Sequence, residues 1–489
     1  MTNLLILMSD EHQARAMGCA GHPFVRTPNL DALAAQGVRF TRAYTPSPIC
    51  VPARAAFAAG RPVHETRRWD NAMPYRGNPP GWGHALQQRG VAVESIGKLH
   101  YRDPSDAAGF DHEHIPMMVA NGTGMVWASI RAEGERLENP GRMLGQKFGA
   151  GESTYTEYDR AVTARASDWL AERGARQDRQ PWCLFVGLCA PHFPLIAPPE
   201  FYDLYPPGLV PEPKLQPRHG HPRHPWVEKL NAHMDSEAQF RDPDERMAAL
   251  RAYHALCTWM DHNVGRILAA LRASGMEGDT RVVYTSDHGD NLGTRGLWGK
   301  STLYEESAAI PLILSGPGIE PGLCETPVDL LDLSTTIADT FGTRIPGVNG
   351  PRPLTEIAAA PTDPDREIIS QYHAVGAVSG AFMLVRGPWK LIEYVGFAPE
   401  LFNLSDDPEE TRNLAGDPAH AATLTGLQAA LRRHVDPDAA NAQAFADQAE
   451  LVRAFGGREA ALRTGMAGAT PPPKLPPELP SDARKGTVP

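Results

Sequence analysis

Cys50, in the run Cys50-Val51-Pro52-Ala53-Arg54, is the residue of this chain best placed to act as a nucleophile. It stands just before Pro52 and an alanine-rich stretch, residues 53–59, that closes at Gly60, which is the pattern of a proline-opened helix. Helix N-terminal amides and the positive end of the helix dipole favour anions. A thiol there is expected to have a lowered pKa and to attack directly, with Arg54 one turn on. Read alone, the segment serves a structural cysteine and arginine equally well. Asp10-Glu11 and Asp287-His288 each follow an apolar run, and carboxylates from two strand ends can meet around one hard cation. Taken singly, either pair also suits a turn after a strand. Lys98 and His100 follow a third apolar run and share a face in extended backbone. A lysine there can supply positive charge to the outer oxygens of a transferring sulfuryl or phosphoryl group; a solvated loop pair is the other reading.

These clusters need a scaffold that brings distant segments together. Residues 3–8, 91–96, 182–188 and 281–285 are apolar runs of strand length. Residues 28–37 read as a helix, 38–44 as extended, and 158–173 and 246–274 as helical. The alternation predicts an α/β fold with a mixed, mainly parallel central sheet flanked by helices. Ligands of such sheets gather at the carboxyl ends of strands. Asp10, the segments after Ile96 and Leu188, and Asp287 all fall just past such an end. From residue 368 shorter pieces at 381–385 and 390–394, then a helix over 418–434, predict a smaller C-terminal α+β domain. The expected division is a catalytic domain over 1–367, the smaller domain over 368–450, and an extension over 451–489. From Thr470 that extension is a proline-rich tail unable to build a core.

With 58 acidic against 47 basic residues the net charge is -11, so the whole-molecule field gives nucleic acid no general attraction. An anion must be captured by a local cationic pocket. No apolar run approaches the roughly 20 residues that span a bilayer. The first residues read as a buried strand, not a signal peptide, so a cytoplasmic location with reduced thiols is expected. The six cysteines form no CxxC pair, and Cys183 and Cys189 sit in an apolar run where core packing is their expected role.

Cys50-Val51-Pro52-Ala53-Arg54, followed by Gly60-Arg61, resembles the signature of type I, formylglycine-dependent sulfatases in the alkaline phosphatase superfamily. Gly97-Lys98-Leu99-His100, Pro191-His192 and Lys300 are similar to further segments of that family, and Asn71 matches its choline-sulfatase and phosphonate monoester hydrolase branches. In the last quarter, Trp389-Lys390-Leu391-Ile392 and Glu400-Leu401-Phe402-Asn403-Leu404 resemble sulfatase C-terminal segments. The resemblance implies an alkaline phosphatase-like fold and a Cys50 converted by a sulfatase-maturing enzyme to formylglycine, which reacts as an aldehyde hydrate. It implies one divalent metal held by Asp10, Glu11, Asp287, His288 and the position-50 oxygen, although the family more often has Asp or Gln where this chain has Glu11. A mostly oxygen shell suits Ca²⁺, and the His288 nitrogen makes Mn²⁺ the alternative.

The implied reaction is hydrolysis of a small-molecule sulfate monoester. Arg54 steadies the attacking oxygen, and Lys98, Asn71 and Lys300 hold the outer oxygens. His192 with Lys300 protonates the leaving oxygen, and His100 then breaks down a sulfated hemiacetal. Two alternatives stand beside it. A phosphonate monoester or phosphodiester hydrolase would share the nucleophile, but that branch tends to carry Tyr and Thr where this chain has Lys98 and His100. A non-catalytic protein could use the same fold to bind a sulfated ligand. Trp69, Tyr75, Trp82 and Trp298 are candidates to line the leaving-group pocket or to pack, and the tail from Thr470 could join subunits of a homo-oligomer.

Overall fold

The computed structural model describes residues 2–132, 134–135, 144–145, 147–177, 180–233, 235–463 and 469–475. The first strand, Asn3–Asp10, lies at the centre of an eight-stranded mixed sheet. Leu4 to Met8 are wholly buried: Leu4, Ile6 and Met8 face one core layer, Leu5 and Leu7 the other. Alternation across a strand buried on both faces explains why the segment is a continuous apolar run. Each such side chain contributes about 1.5–3 kcal/mol of burial free energy.

The first strand pairs in parallel with Trp182–Pro191 on one side and Thr280–Ser286 on the other. Ala92–Lys98 and His112–Met117 extend the sheet in parallel past Trp182–Pro191. Beyond Thr280–Ser286, Leu312–Ser315 runs antiparallel, followed by Gly37–Phe40 and Gly322–Cys324. The long helices Thr154–Gly174 and Pro243–Ala273 cover one face. Cys50–Ala59, Trp82–Gln87 and Leu330–Thr340 cover the other. The α/β reading holds, with shifts at element ends. The extended segment expected over 38–44 is two strands, Gly37–Phe40 and Ala43–Tyr44. The helix expected from 158 begins at Thr154, where the Ser153 hydroxyl accepts from the Thr156 N–H.

A separate antiparallel sheet follows, formed by Glu367–Tyr372, Ala381–Arg386, Trp389–Tyr394 and Glu400–Asn403, with Ala421–His434 packed against it. The helix Pro437–Ala454 then returns to the first layer, setting Ala444 among Ala56, Val63 and Trp69. All six cysteines are free. No described helix is long and apolar enough to cross a membrane.

Candidate active site

Four carboxyl-side strand ends converge on the N-terminus of the Cys50 helix. Asp10 closes the first strand, Lys98 closes Ala92–Lys98, Asp287 follows Thr280–Ser286, and His192 follows Trp182–Pro191. Neighbouring strands approach unusually closely here. A Cβ on Gly97 would stand 2.2 Å from the Gly187 carbonyl oxygen, and φ at Gly97 is 98°. The next carbonyl, that of Lys98, accepts from Arg54 Nη1 at 2.9 Å.

Cys50 is the first residue of its helix, ahead of the Pro52 start expected from the sequence. Its sulfur lies 3.2 Å from His288 Nε2 and 3.7 Å from Asp10 Oδ1. Burial, reinforced by the Asp10 carboxylate, pushes the thiol up to about 11. The expected lowered pKa is therefore wrong: loss of hydration outweighs the helix dipole, and at neutral pH the unmodified thiol is protonated and a poor nucleophile.

Arg54 and Lys98 serve the carboxylates. Arg54 Nε donates to Asp287 Oδ2 at 2.7 Å and Nη2 to Asp10 Oδ2 at 3.1 Å. Lys98 Nζ stands 2.8 Å from Asp10 Oδ2. Burial opposes ionisation of Asp10, but Lys98, His192 and Arg54 hold its carboxyl well below the ordinary range. Asp10, Cys50, Asp287 and His288 each offer a ligand atom, all within 4.8 Å of one another. His288 Nδ1 lies 3.0 Å from the Gly289 carbonyl, an acceptor only, so that nitrogen carries the proton and Nε2 keeps its lone pair toward Cys50. Two carboxylates, an imidazole lone pair and the position-50 group fit a divalent cation.

Glu11 sits apart from this group. Its side chain joins Asp10 and His192 in a second cluster: Oε2 accepts from Lys300 Nζ at 3.0 Å, and Oε1 is buried without a hydrogen-bond partner. Burial pushes its carboxyl well above the ordinary range, with Lys300 opposing. Lys300 Nζ also donates to His192 Nε2 at 2.7 Å, while His192 Nδ1 faces the Phe193 carbonyl at 2.5 Å. The donating nitrogen of His192 thus points away from the cavity, and the proton at its inner edge belongs to Lys300.

Asn71 Oδ1 accepts from the Val51 N–H at 3.1 Å, in the first turn of the Cys50 helix. That leaves the amide NH₂ of Asn71 as a donor at the cavity it lines with Cys50, His100, His192 and Lys300. His100 Nε2 lies 2.8 Å from the Thr470 hydroxyl of the same chain, and Tyr155 donates to the Thr470 carbonyl at 2.7 Å. The tail beyond 475 lies outside the described residues.

All the sequence-predicted site residues therefore meet in one place. The aromatic candidates divide: Trp298 lines the cavity, whereas Trp69, Tyr75 and Trp82 are buried in packing. Sequence reasoning missed much of the remaining lining, including Met125, Leu144 and Val375, which no motif marks. It also missed Asp159, whose buried carboxylate accepts from the Cys189 and Ala190 N–H groups at 2.7 and 2.8 Å and so holds the His192 turn. Asp290 works likewise, accepting from the Leu292 and Gly299 N–H groups and shaping the loop that delivers Lys300. An acid three residues after Asp287 was the available signal for it.

The Sulfatase family profile matches residues 2–343, and a profile described as N-sulphoglucosamine sulphohydrolase, C-terminal, matches 293–436. A choline-sulfatase of Rhizobium meliloti (strain 1021) is 34% identical over 465 residues, covering 91% of this chain and 89% of the relative. Arylsulfatase K of Xenopus laevis is 29% identical, covering 85% and 79%. Among solved structures, the phosphonate monoester hydrolase of Silicibacter pomeroyi superposes with a TM-score of 0.71 at 26% identity, over 89% of this chain and 95% of that one. A cation-ready acid cluster at the strand ends, read with a family match over most of the chain, leads to one conclusion: the protein belongs to the sulfatase family and is a sulfuric ester hydrolase.

Proposed function

We propose that the protein cleaves small-molecule sulfate monoesters with a formylglycine formed from Cys50 by a maturing enzyme. The observation that carries this is the place of Cys50, fully buried at the start of its helix, with a ligand atom that lies together with those of Asp10, Asp287 and His288. Conversion of the CH₂SH group to an aldehyde, hydrated in place, would put a hydroxyl where His288 Nε2 and Asp10 now face sulfur. Asp10, Asp287, His288 and that oxygen would hold a divalent cation, Ca²⁺ before Mn²⁺ because two carboxylates outnumber one imidazole; the ion supplies Lewis-acid charge.

The chain's own groups supply the rest. Arg54 fixes both carboxylates, keeping them paired with positive charge before a substrate arrives. Lys98 and the Asn71 amide stand beside the position of the outer oxygens. Lys300 donates the proton that the departing alcohol oxygen needs, and His192, its lone pair held toward Lys300, accepts hydrogen bonding from that ammonium and orients it. The position-50 oxygen would bond to sulfur as the bond from sulfur to the alcohol oxygen breaks; His100 then takes a proton from the hydroxyl remaining at position 50, so that the aldehyde C=O re-forms, the bond from position 50 to the sulfate oxygen breaks and sulfate departs without water attacking sulfur. Burial, then Lys98, keeps the His100 imidazole well below its ordinary pKa, leaving it neutral and able to accept.

Lys98 and His100 favour sulfate over the phosphonate monoesters named for the Silicibacter pomeroyi neighbour. Turnover of 4-nitrophenyl sulfate against a phosphonate monoester and a phosphate diester tests that preference, and faster phosphonate turnover would reverse it. Intact mass of the Cys50 peptide, from protein made with the maturing enzyme, tests the modification.

A further inference from the structure

Behind Asn71 lies a buried polar network that the chemistry above does not use. Asp70, fully buried, accepts from the Ala72 N–H at 2.8 Å, the Ser129 hydroxyl at 2.7 Å and the Gln448 amide at 2.7 Å. Gln448 is itself only 1% exposed and comes from the helix Pro437–Ala454, far along the chain. Its nitrogen also donates to the His373 carbonyl at 2.9 Å, and its oxygen accepts from Arg131 Nη1 at 3.0 Å. The Arg131 guanidinium lies 4.2 Å from the ring of Phe445 on the same helix. The preceding residue, Asp447, accepts from the Trp69 indole at 2.7 Å and from Arg67 Nε at 2.8 Å. Two consecutive residues of the C-terminal helix thus hold Arg67, Trp69 and Asp70, the residues that lead directly into Asn71.

The other side of Asn71 is fixed as well. Gly124, at φ 62°, lets its backbone approach so closely that a Cβ there would stand 2.3 Å from the Asn71 carbonyl oxygen. Packing alone does not require this arrangement. A helix that merely covered the loop could use an apolar residue at 448, whereas a buried glutamine is costly unless its own amide is satisfied, as both its oxygen and its nitrogen are here. Such a network sets geometry closely. The residue it holds is the one that contacts both the first turn of the Cys50 helix and the cavity.

We infer that Gln448 and Asp70 are positioning residues that aim the Asn71 amide at the transferred group, so the helix Pro437–Ala454 takes part in recognising the anionic ester. The inference rests on the reading that Asn71 donates to an outer oxygen. It is tested with the full-length matured protein and 4-nitrophenyl sulfate, measuring kcat and KM for Asn71→Ala, Gln448→Met, Ser129→Ala and the doubles of the last two with Asn71→Ala. In the Asn71 background, Gln448→Met is expected to lower kcat/KM about tenfold and Ser129→Ala about threefold; in the Asn71→Ala background neither should change it by more than about twofold. Equal losses in both backgrounds would overturn the inference, because they would mean general disruption. Unchanged kcat/KM for Asn71→Ala alone would instead overturn the reading of Asn71 on which it rests. Ser129→Ala removes one hydroxyl and keeps the Gln448 contacts, so it decides the matter if Gln448→Met does not fold.

Discussion

The site has two unlike halves. Its floor, behind the cavity-lining Cys50 and made by Asp10, Arg54, Lys98, Asp287 and His288, is at most 2% exposed, dense in charge, and delivered by strand ends and a helix start. Its wall, made by Met125, Leu144, Phe193, Trp298, Val375 and Thr470, is largely apolar and comes mostly from loops far apart in the chain. Charged groups out of water must be paired and hydrogen-bonded, so the floor tolerates few alternatives in residue type or position. Apolar contacts ask only for shape and volume, so the wall can vary while the chemistry beneath it stays the same. In the proposed reaction the sulfate meets the half fixed by electrostatics, and the departing alcohol meets the half fixed by packing.

That contrast can be broken in four ways. Cys50→Ala should reduce turnover of 4-nitrophenyl sulfate by more than about 10⁴-fold while the protein stays folded; retained activity would remove the floor's nucleophile from the reaction. Arg54→Ala should destabilise the fold by about 3–5 kcal/mol in the absence of metal, since Asp10 and Asp287 would lose their buried partner. Thermal unfolding with and without added Ca²⁺ checks this, and Ca²⁺ should return part of the loss. Trp298→Leu should act on the wall alone, shifting the preference between bulky and small leaving groups by roughly tenfold, read as the ratio of kcat/KM for two sulfate esters. The smallest effect concerns pH. Burial, followed by the Lys98 and Lys300 charges respectively, depresses His100 and His192 well below the ordinary imidazole value of 6.5. Both are therefore neutral as pH falls through 6.5, and kcat/KM should stay level there, dropping only at more acid pH. An acid limb centred at the ordinary value would show that neither histidine is as dry as its surroundings suggest.

The same division explains what the sequence could disclose. Asp10, Cys50, Arg54, Lys98, His192, Asp287, His288 and Lys300 stand beside elements with strong local signals: a strand buried on both faces, a proline at a helix start, a glycine at a turn. Their neighbourhood in space follows from parallel pairing of Asn3–Asp10, Trp182–Pro191 and Thr280–Ser286. Glu11 was legible as an acid after a strand but not as a partner of Lys300, because its direction depends on a backbone twist at φ 69° that no neighbour announces. The Cys50 thiol misled for a related reason: the helix start is visible in the residues, whereas the depth of burial that protonates it is set by the whole fold. Gln448 and Thr470 carry no local signal, since their contacts with Asp70 and His100 span more than 300 positions of chain.

Glu11, His100 and Ser301 all adopt left-handed backbone without being glycine, at φ of 69°, 60° and 85°. Each such residue costs about 1–3 kcal/mol, a sum comparable with the net stability of many folded domains. A search for heat-resistant variants would therefore find glycine at these positions attractive, and every such gain would remove the carboxylate, imidazole or hydroxyl that the strained backbone now aims. Thermal hardening of this protein should be sought in the smaller sheet and at the outer helices, away from the ends of the central strands.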